Sequence, residues 1–314
     1  MDLKVKTENI PEAKLKVIQK SSGHVETADF MPVLSQYALF CGKRNSGKST
    51  KATQMLRMYK ETGSIDRVLV ISPTASSNRV LIDQLGINKE DIFSDPNEKG
   101  LIKRIIKVVE AERDDFVRYM DLRRNFKRIM KEIKLGLVPP DPEQFEDYMM
   151  AYYNSATDEF EMPAPKYDRW ERGEPTVMAL LIDDSMCSSL MTDRAFQAFT
   201  MRHRHIGELP WGGALGISVF ICIQSYKSQG GGLPKCARNQ ATSITLFRTK
   251  DRSELNQIAE AFSGEIPVEK FLALYEYATA EDEHDSLFVD LHYKKGIQAS
   301  PFRKNMDTYL IVDD

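Results

Sequence analysis

Residues 37–50 read Tyr-Ala-Leu-Phe-Cys-Gly-Lys-Arg-Asn-Ser-Gly-Lys-Ser-Thr. The apolar run Tyr37 to Cys41 is strand-like, and Gly42 to Ser49 fits G-x-x-x-x-G-K-[ST] at every specified position. From Ser49 to Glu61 good helix formers continue without Gly or Pro, and Gly63 follows as a stop. Strand, glycine-bounded loop and helix N-terminus together cradle phosphates, because loop N–H groups point inward and the helix dipole adds positive potential. Lys48 is expected to reach the β- and γ-phosphates and Ser49 to offer its hydroxyl to Mg²⁺. Gly42, Lys43, Arg44, Asn45, Ser46, Gly47, Lys48, Ser49 and Thr50 are the expected contacts of a nucleoside triphosphate. The competing reading is an ordinary glycine turn that happens to hold Lys-Ser. The flanking strand and helix argue against it.

Working outward, the chain alternates strand and helix. Arg67 to Ile71 is a β-branched run closed by Ser72-Pro73-Thr74, as in a buried parallel strand. Val80 to Leu85 predicts a short helix and Asp91 to Phe93 a brief strand. Further strands are expected at Val177 to Ile182, Ile217 to Ile223 and Ala241 to Phe247. Helices are expected at Thr192 to His203 (with Thr192 as N-cap), Ser253 to Phe262 and 267–278. The tail from Ser286 to Val312 alternates like a terminal pair of strands. Continuous apolar strands separated by helices predict a parallel, doubly wound sheet. Residues 1–30 read as a flexible arm or an added edge strand, with the alternating run Ala13 to Ile18 as the candidate. Residues 31–314 read as one α/β domain.

An insertion is expected at about 99–175. Its first part, 99–134, has helical apolar spacing, and its other faces carry an excess of Lys and Arg. Two readings stay open there: a solvated face with opposite-charge pairs, or a DNA-facing surface. Its second part, 138–175, is acidic, rich in Tyr and punctuated by proline, and reads as a short helix followed by an irregular loop.

The chain has 314 residues, 42% hydrophobic and 28% charged, with a net charge of −3, so nucleic-acid binding would need a local patch. Cys41, Cys187, Cys222 and Cys236 form no C-x-x-C pair and predict reduced thiols, not a disulfide framework or zinc site. No run reaches the ~18 apolar residues of a membrane span, and no secretory leader pattern is present, so a soluble, cytosolic-side protein is expected. His203 and His205 do not share a helix face and read as a basic helix end or a DNA contact. Gly230 to Gly232 lacks Lys-Ser/Thr and reads as a mobile loop.

Hydrolysis needs more than a phosphate loop. Leu180-Leu181-Ile182-Asp183-Asp184 supplies a carboxylate at a buried strand end: Asp183 on the metal side, and Asp184 where a base would orient the attacking water. Gln224 closes the next strand, where its amide can sense the γ-phosphate. Charge on that phosphate in the transition state favours a guanidinium, whose planar fork pairs bidentately. Arg238, in Leu233-Pro234-Lys235-Cys236-Ala237-Arg238-Asn239, and Arg252 are the candidates. Each also has the plain reading of a solvated surface arginine.

In this order, the phosphate loop, Leu-Leu-Ile-Asp-Asp, a glutamine after Phe-Ile-Cys-Ile, and Leu-Pro-x-x-x-Arg-Asn resemble the genome-packaging ATPases of nucleocytoplasmic large DNA viruses and their smaller relatives. Those belong to the FtsK–HerA superfamily of ring-forming DNA translocases. The resemblance covers about residues 35–262. The tail, with Phe288-Val289-Asp290 and Phe302-Arg303-x-Asn305, looks similar too. It implies an ASCE-type P-loop NTPase fold that uses ATP and Mg²⁺ to drive double-stranded DNA into a preformed capsid. It also implies a ring of five or six subunits, a capsid or vertex protein as docking partner, and the virus assembly site in the host cytoplasm. Lys48 and Ser49 match the phosphate and Mg²⁺ positions, Asp183 the metal carboxylate and Gln224 the sensor. Arg238 matches the finger offered to the neighbouring subunit, ahead of Arg252. One departure is Asp184, where many superfamily members have Glu. Two alternatives share parts of the pattern. One is a cellular or plasmid DNA pump or helicase, expected to add a recognition or anchor domain. The other is an ATP-binding switch or scaffold without turnover.

Overall fold

The computed structural model describes residues 5–9, 25, 27–75, 79–137, 146, 150, 152–154, 157, 159–226, 233–264 and 266–312. The strands are β1 (Val5–Asn9), β2 (Tyr37–Cys41), β3 (Arg67–Ile71), β4 (Ile92–Phe93), β5 (Tyr153–Asn154), β6 (Glu159–Phe160), β7 (Met178–Ile182), β8 (Ser218–Ile223), β9 (Ser243–Phe247), β10 (Ser286–Asp290), β11 (Phe302–Lys304) and β12 (Thr308–Val312). The helices are α1 (Lys48–Glu61), α2 (Arg79–Leu85), α3 (Leu101–Lys134), α4 (Arg194–Arg202), α5 (Lys235–Arg238), α6 (Arg252–Ala261) and α7 (Val268–Ala278).

Ten strands form one sheet in the order β1-β12-β11-β10-β9-β2-β8-β7-β3-β4. The run from β9 to β4 is parallel, and β10, β11, β12 and β1 add an antiparallel wing. Full burial of β2, β7 and β8 accounts for their unbroken apolar sequences, since both sheet faces are covered. Alternate residues go to opposite faces. Leu39, Leu180 and Ile221 pack toward α3, α4, α6 and α7. Phe40, Leu181 and Phe220 pack toward Met55, Leu56 and Tyr59 of α1.

Some expectations change. The tail is three strands, because two turns within 291–307 return the chain twice to the sheet. At the N-terminal side, β1 pairs antiparallel to β12; the candidate run Ala13 to Ile18 lies outside the described residues, as do Gly230 to Gly232 and most of 138–158. The N-cap of α4 is Asp193 and not Thr192: the Asp193 carboxylate accepts from Ala195 N at 2.8 Å. Thr192 instead ends a short 3-10 turn, its hydroxyl donating to Ser189 O.

α3 is a single helix of 34 residues, about 51 Å long at ~1.5 Å per residue. Leu101, Ile102, Ile105 and Val109 enter the main core, and Phe116 and Tyr119 pack on Trp170. About a third of the way along, it is tied to the start of β3 by ions. Glu112, fully buried, accepts from Arg67 Nη1 at 2.7 Å and Lys166 Nζ at 2.8 Å, and Arg169 pairs with Asp66 at 2.8 Å. The tail motif also has a structural task. Arg303 is 2% exposed, donates to Phe30 O at 2.6 Å and lies 3.9 Å from buried Asp290. Asn305, with φ +57°, accepts from Ser286 N and donates to Asp285. His203 is buried as well, its ring hydrogen-bonded to Ile217 O at 2.7 Å, so it is a core residue and not a basic helix end. The four cysteines are free, Cys41 and Cys222 buried. Among the described residues no helix is long and apolar enough to cross a membrane, and no His/Cys/Asp/Glu cluster could hold a metal ion.

Candidate nucleotide site

The site sits at the C-terminal ends of β2, β8, β7 and β3, where a parallel sheet leaves a crevice for ligands. β2 delivers the chain into the phosphate loop, and Gly42 N still bonds Ile223 O of β8 at 3.1 Å. Gly42 is required by space: a Cβ there would lie 2.6 Å from Ser46 Oγ and 2.7 Å from Phe247 Cβ. Asn45 and Gly47 have φ of +63° and +95°. Left-handed turns of this kind bring successive amides to one side, as an anion nest needs. α1 then begins at Lys48, with Lys51 N bonded to Gly47 O at 2.9 Å.

Lys48 is almost fully buried, and its ammonium donates to Lys43 O at 2.7 Å. That bond uses one of three donors. Ser46 Oγ is buried and has no partner among the described residues, an orphan facing the loop that closes over it. Lys43, Arg44, Asn45 and Thr50 are exposed. His284 borders the loop, 3.5 Å from where a Gly47 Cβ would be; no sequence pattern announced it.

Asp183 follows β7 and stays in the ladder through its N–H to Ile71 O at 2.9 Å. Burial pushes its carboxyl above the usual carboxylate range, and Asp184 adds to this, whereas hydrogen bonds from Ser49 and Cys222 pull it down. The Ser49 hydroxyl of the phosphate loop thus lies beside the Asp183 carboxyl at the end of β7. Asp184 turns out of the sheet with φ +47°, a conformation few non-glycine residues adopt and one that tends to occur at functional sites. It is exposed, its N–H bonds Asp183 Oδ1 at 3.1 Å, and its Oδ2 accepts a long bond of 3.4 Å from Thr74. Thr74, in the Ser-Pro-Thr turn after β3, was not singled out by any motif.

β8 lies between the phosphate-loop strand β2 and the Asp183 strand β7. Gln224, the next residue, is exposed and shares a small cavity with Gly42, Lys43, Phe247, Glu254 and Tyr275. The turn that carries it is gripped from two sides. Glu254 Oε1 accepts from Ser225 Oγ at 2.6 Å and from Tyr226 N. Arg238 Nη1 donates to Tyr226 O at 2.7 Å, and its guanidinium lies 5.3 Å from the Tyr226 ring centroid. Arg238 is therefore half-buried against the Gln224 turn of the same chain. Arg252 is exposed at the start of α6, after the N-cap Asp251. Glu254, in the same first turn, was missed because a single acid in a helix turn carries no signal.

The β9-β2-β8-β7-β3 order, with the phosphate loop after β2 and the paired acids after β7, gives the chain a P-loop NTPase fold. No protein-family model matches the chain, and no curated protein matches its sequence. Among solved structures, the genome packaging NTPase B204 from Sulfolobus turreted icosahedral virus 2, in complex with AMP, is similar. It shares 12% identity, covers 81% of this chain and 92% of its own, and has a TM-score of 0.43. EssC (ATPases 2 and 3) from Geobacillus thermodenitrificans shares 14% identity over 88% of this chain and 40% of its own, with a TM-score of 0.43. The pCW3 conjugation coupling protein TcpA shares 13% identity over 87% of this chain and 61% of its own, with a TM-score of 0.39.

The donors present fit a triphosphate with Mg²⁺. The inward-turned loop, the buried ammonium and the orphaned Ser46 hydroxyl suit phosphate oxygens, and the Ser49–Asp183 oxygen pair suits a hard divalent cation.

Proposed function

We propose that this chain is an ATP-driven double-stranded DNA translocase that packages a viral genome into a preformed capsid. The observation that carries the reading is the convergence of the phosphate loop, Asp183, Asp184 and Gln224 on adjacent strand ends, with β8 between β2 and β7. Mg²⁺, when bound, neutralises charge on the phosphate oxygens. Ser49 and Asp183 would hold it. Lys48 and the loop amides bind the β- and γ-phosphates. Asp184, turned out of the sheet and within reach of Thr74, orients the attacking water and takes its proton. Gln224, beside Gly42 and Lys43, reports whether the γ-phosphate is present.

A ring of five or six subunits would complete each site with an arginine from its neighbour. Arg238 remains the first candidate on its motif, and Arg252 is the more exposed of the two. In this reading 31–314 is the motor domain with the 99–175 insertion, acting with a capsid or vertex protein at the assembly site in the host cytoplasm.

The test is ATPase activity against double-stranded DNA concentration at two salt levels. DNA should stimulate turnover, less so at high salt, and Lys48→Ala should abolish it. An active enzyme indifferent to DNA would sink the motor. Mixing Arg238→Ala subunits with wild type should depress activity beyond their share. Strictly proportional loss would assign Arg238 to its own subunit, through Tyr226.

A further inference from the structure

The outer half of α3 carries a basic stripe that the nucleotide chemistry does not use. Between Arg118 and Lys134 the chain has seven Lys/Arg against two Asp/Glu, in a protein whose net charge is −3. At about 100° per residue, Arg124, Lys127, Arg128, Lys131 and Lys134 fall within an arc of about 120° and extend about 15 Å along the axis. All five are exposed.

The opposite face is occupied by the protein itself. Ile129 and Tyr119 are buried, Phe126 lies 5.2 Å from the Tyr152 ring, and Tyr152 donates to Leu122 O at 2.7 Å. Rotation about the axis is thereby set, and the stripe faces outward. Arg124 has an ion pair with Asp121 at 3.1 Å, but both are mostly exposed, so the pair is weak and exchangeable. Lys127, Lys131 and Lys134 have no ion pair among the described residues.

We infer that this stripe is a contact surface for the phosphate backbone of duplex DNA. The inference rests on the translocase reading and names where one contact lies. A duplex carries about one charge per 1.7 Å, so ~15 Å presents about nine phosphates to five cations, and the major groove admits a helix of this width. A membrane surface fits less well, because an interfacial helix turns apolar side chains to the lipid and here Tyr119, Phe126 and Ile129 of that face are packed inward, leaving Ile133 exposed on it. An acidic protein would satisfy the charge but has no matching periodicity. The remaining residues of the chain sum to net −8, so DNA attraction has to be local.

The test uses the full chain without ATP, a labelled 30-base-pair duplex, and salt at 50 and 200 mM. The variant combines Arg124→Gln, Lys127→Gln, Lys131→Gln and Lys134→Gln, which keeps helix propensity and leaves the nucleotide site untouched. Each phosphate contact contributes about 0.9 to the slope of log K against log salt, so the variant should lose up to about 3.6 of that slope. Across this salt range wild type should lose about a hundredfold more affinity than the variant. Unchanged slope in a variant of unchanged melting temperature and basal ATPase overturns the stripe. So does stripe-dependent binding to polyglutamate or to anionic vesicles that exceeds binding to the duplex. The two readings fail separately. DNA-stimulated ATPase surviving in the variant with full salt slope removes the stripe alone. Stripe-dependent DNA binding without stimulation in wild type removes the motor alone.

Discussion

Glu254→Ala is the sharpest probe of how the Gln224 turn is held. The wild-type carboxylate accepts from Ser225 Oγ and Tyr226 N, and Tyr226 is buried. Removing a charged acceptor leaves two donors without a partner, at about 1–3 kcal/mol each. The local loss is therefore about 2–6 kcal/mol, and α6 keeps its N-cap because Asp251 is untouched. If the turn must be closed for Gln224 to meet the γ-phosphate, about 3 kcal/mol lowers kcat by about two decades. ATP affinity should change little, since the ammonium of Lys48 and the loop amides are not touched. Glu254→Gln keeps the oxygen and loses the charge, which about halves such a bond, so kcat should fall only about tenfold. The assay is steady-state ATPase with a separate equilibrium measurement of nucleotide binding and a melting curve. A folded Glu254→Ala enzyme with wild-type kcat would refute the reasoning. So would equal losses in affinity and kcat, which would point to general damage at the phosphate loop.

The other predictions concern stability. Arg303→Met strands the buried Asp290 carboxylate, at a cost of about 3–5 kcal/mol and roughly 6–15 °C in melting temperature. Adding Asp290→Leu should recover part of that loss; no recovery would mean that Arg303 acts through Phe30 O instead. Burial holds the His203 pKa below its ordinary value, and the neighbouring Arg204 and His205 push the same way. The folded state thus binds this proton less readily than the unfolded chain does. Its contribution is full above about pH 6.5 and is lost as pH falls through the lowered value. Melting temperature should therefore drop between pH 7 and 5, and His203→Gln, which keeps a donor for Ile217 O, should flatten that slope. An identical slope would assign the acid sensitivity to other groups.

The sequence by itself determined the phosphate loop, the paired acids and the parallel core. Each of these is written in local terms: a run of apolar residues where a strand is buried on both faces, glycines at fixed spacing before Lys48 and Ser49, and acids directly after a strand. Local chemistry also predicted α1 and most of α3. It misjudged the cap of α4 by one residue, since Thr192 and Asp193 are both good caps and only the path of the preceding turn selects between them. Tertiary structure alone decided that β8 lies between β2 and β7, because strand order depends on how helices cover the faces and not on any single strand's composition. It alone brought Glu254, thirty residues after Gln224, onto the turn that carries Gln224, and turned Arg238 toward Tyr226. Hydrogen bonds between side chains distant in sequence leave no periodic trace, so these contacts emerge only once the sheet has set the distances.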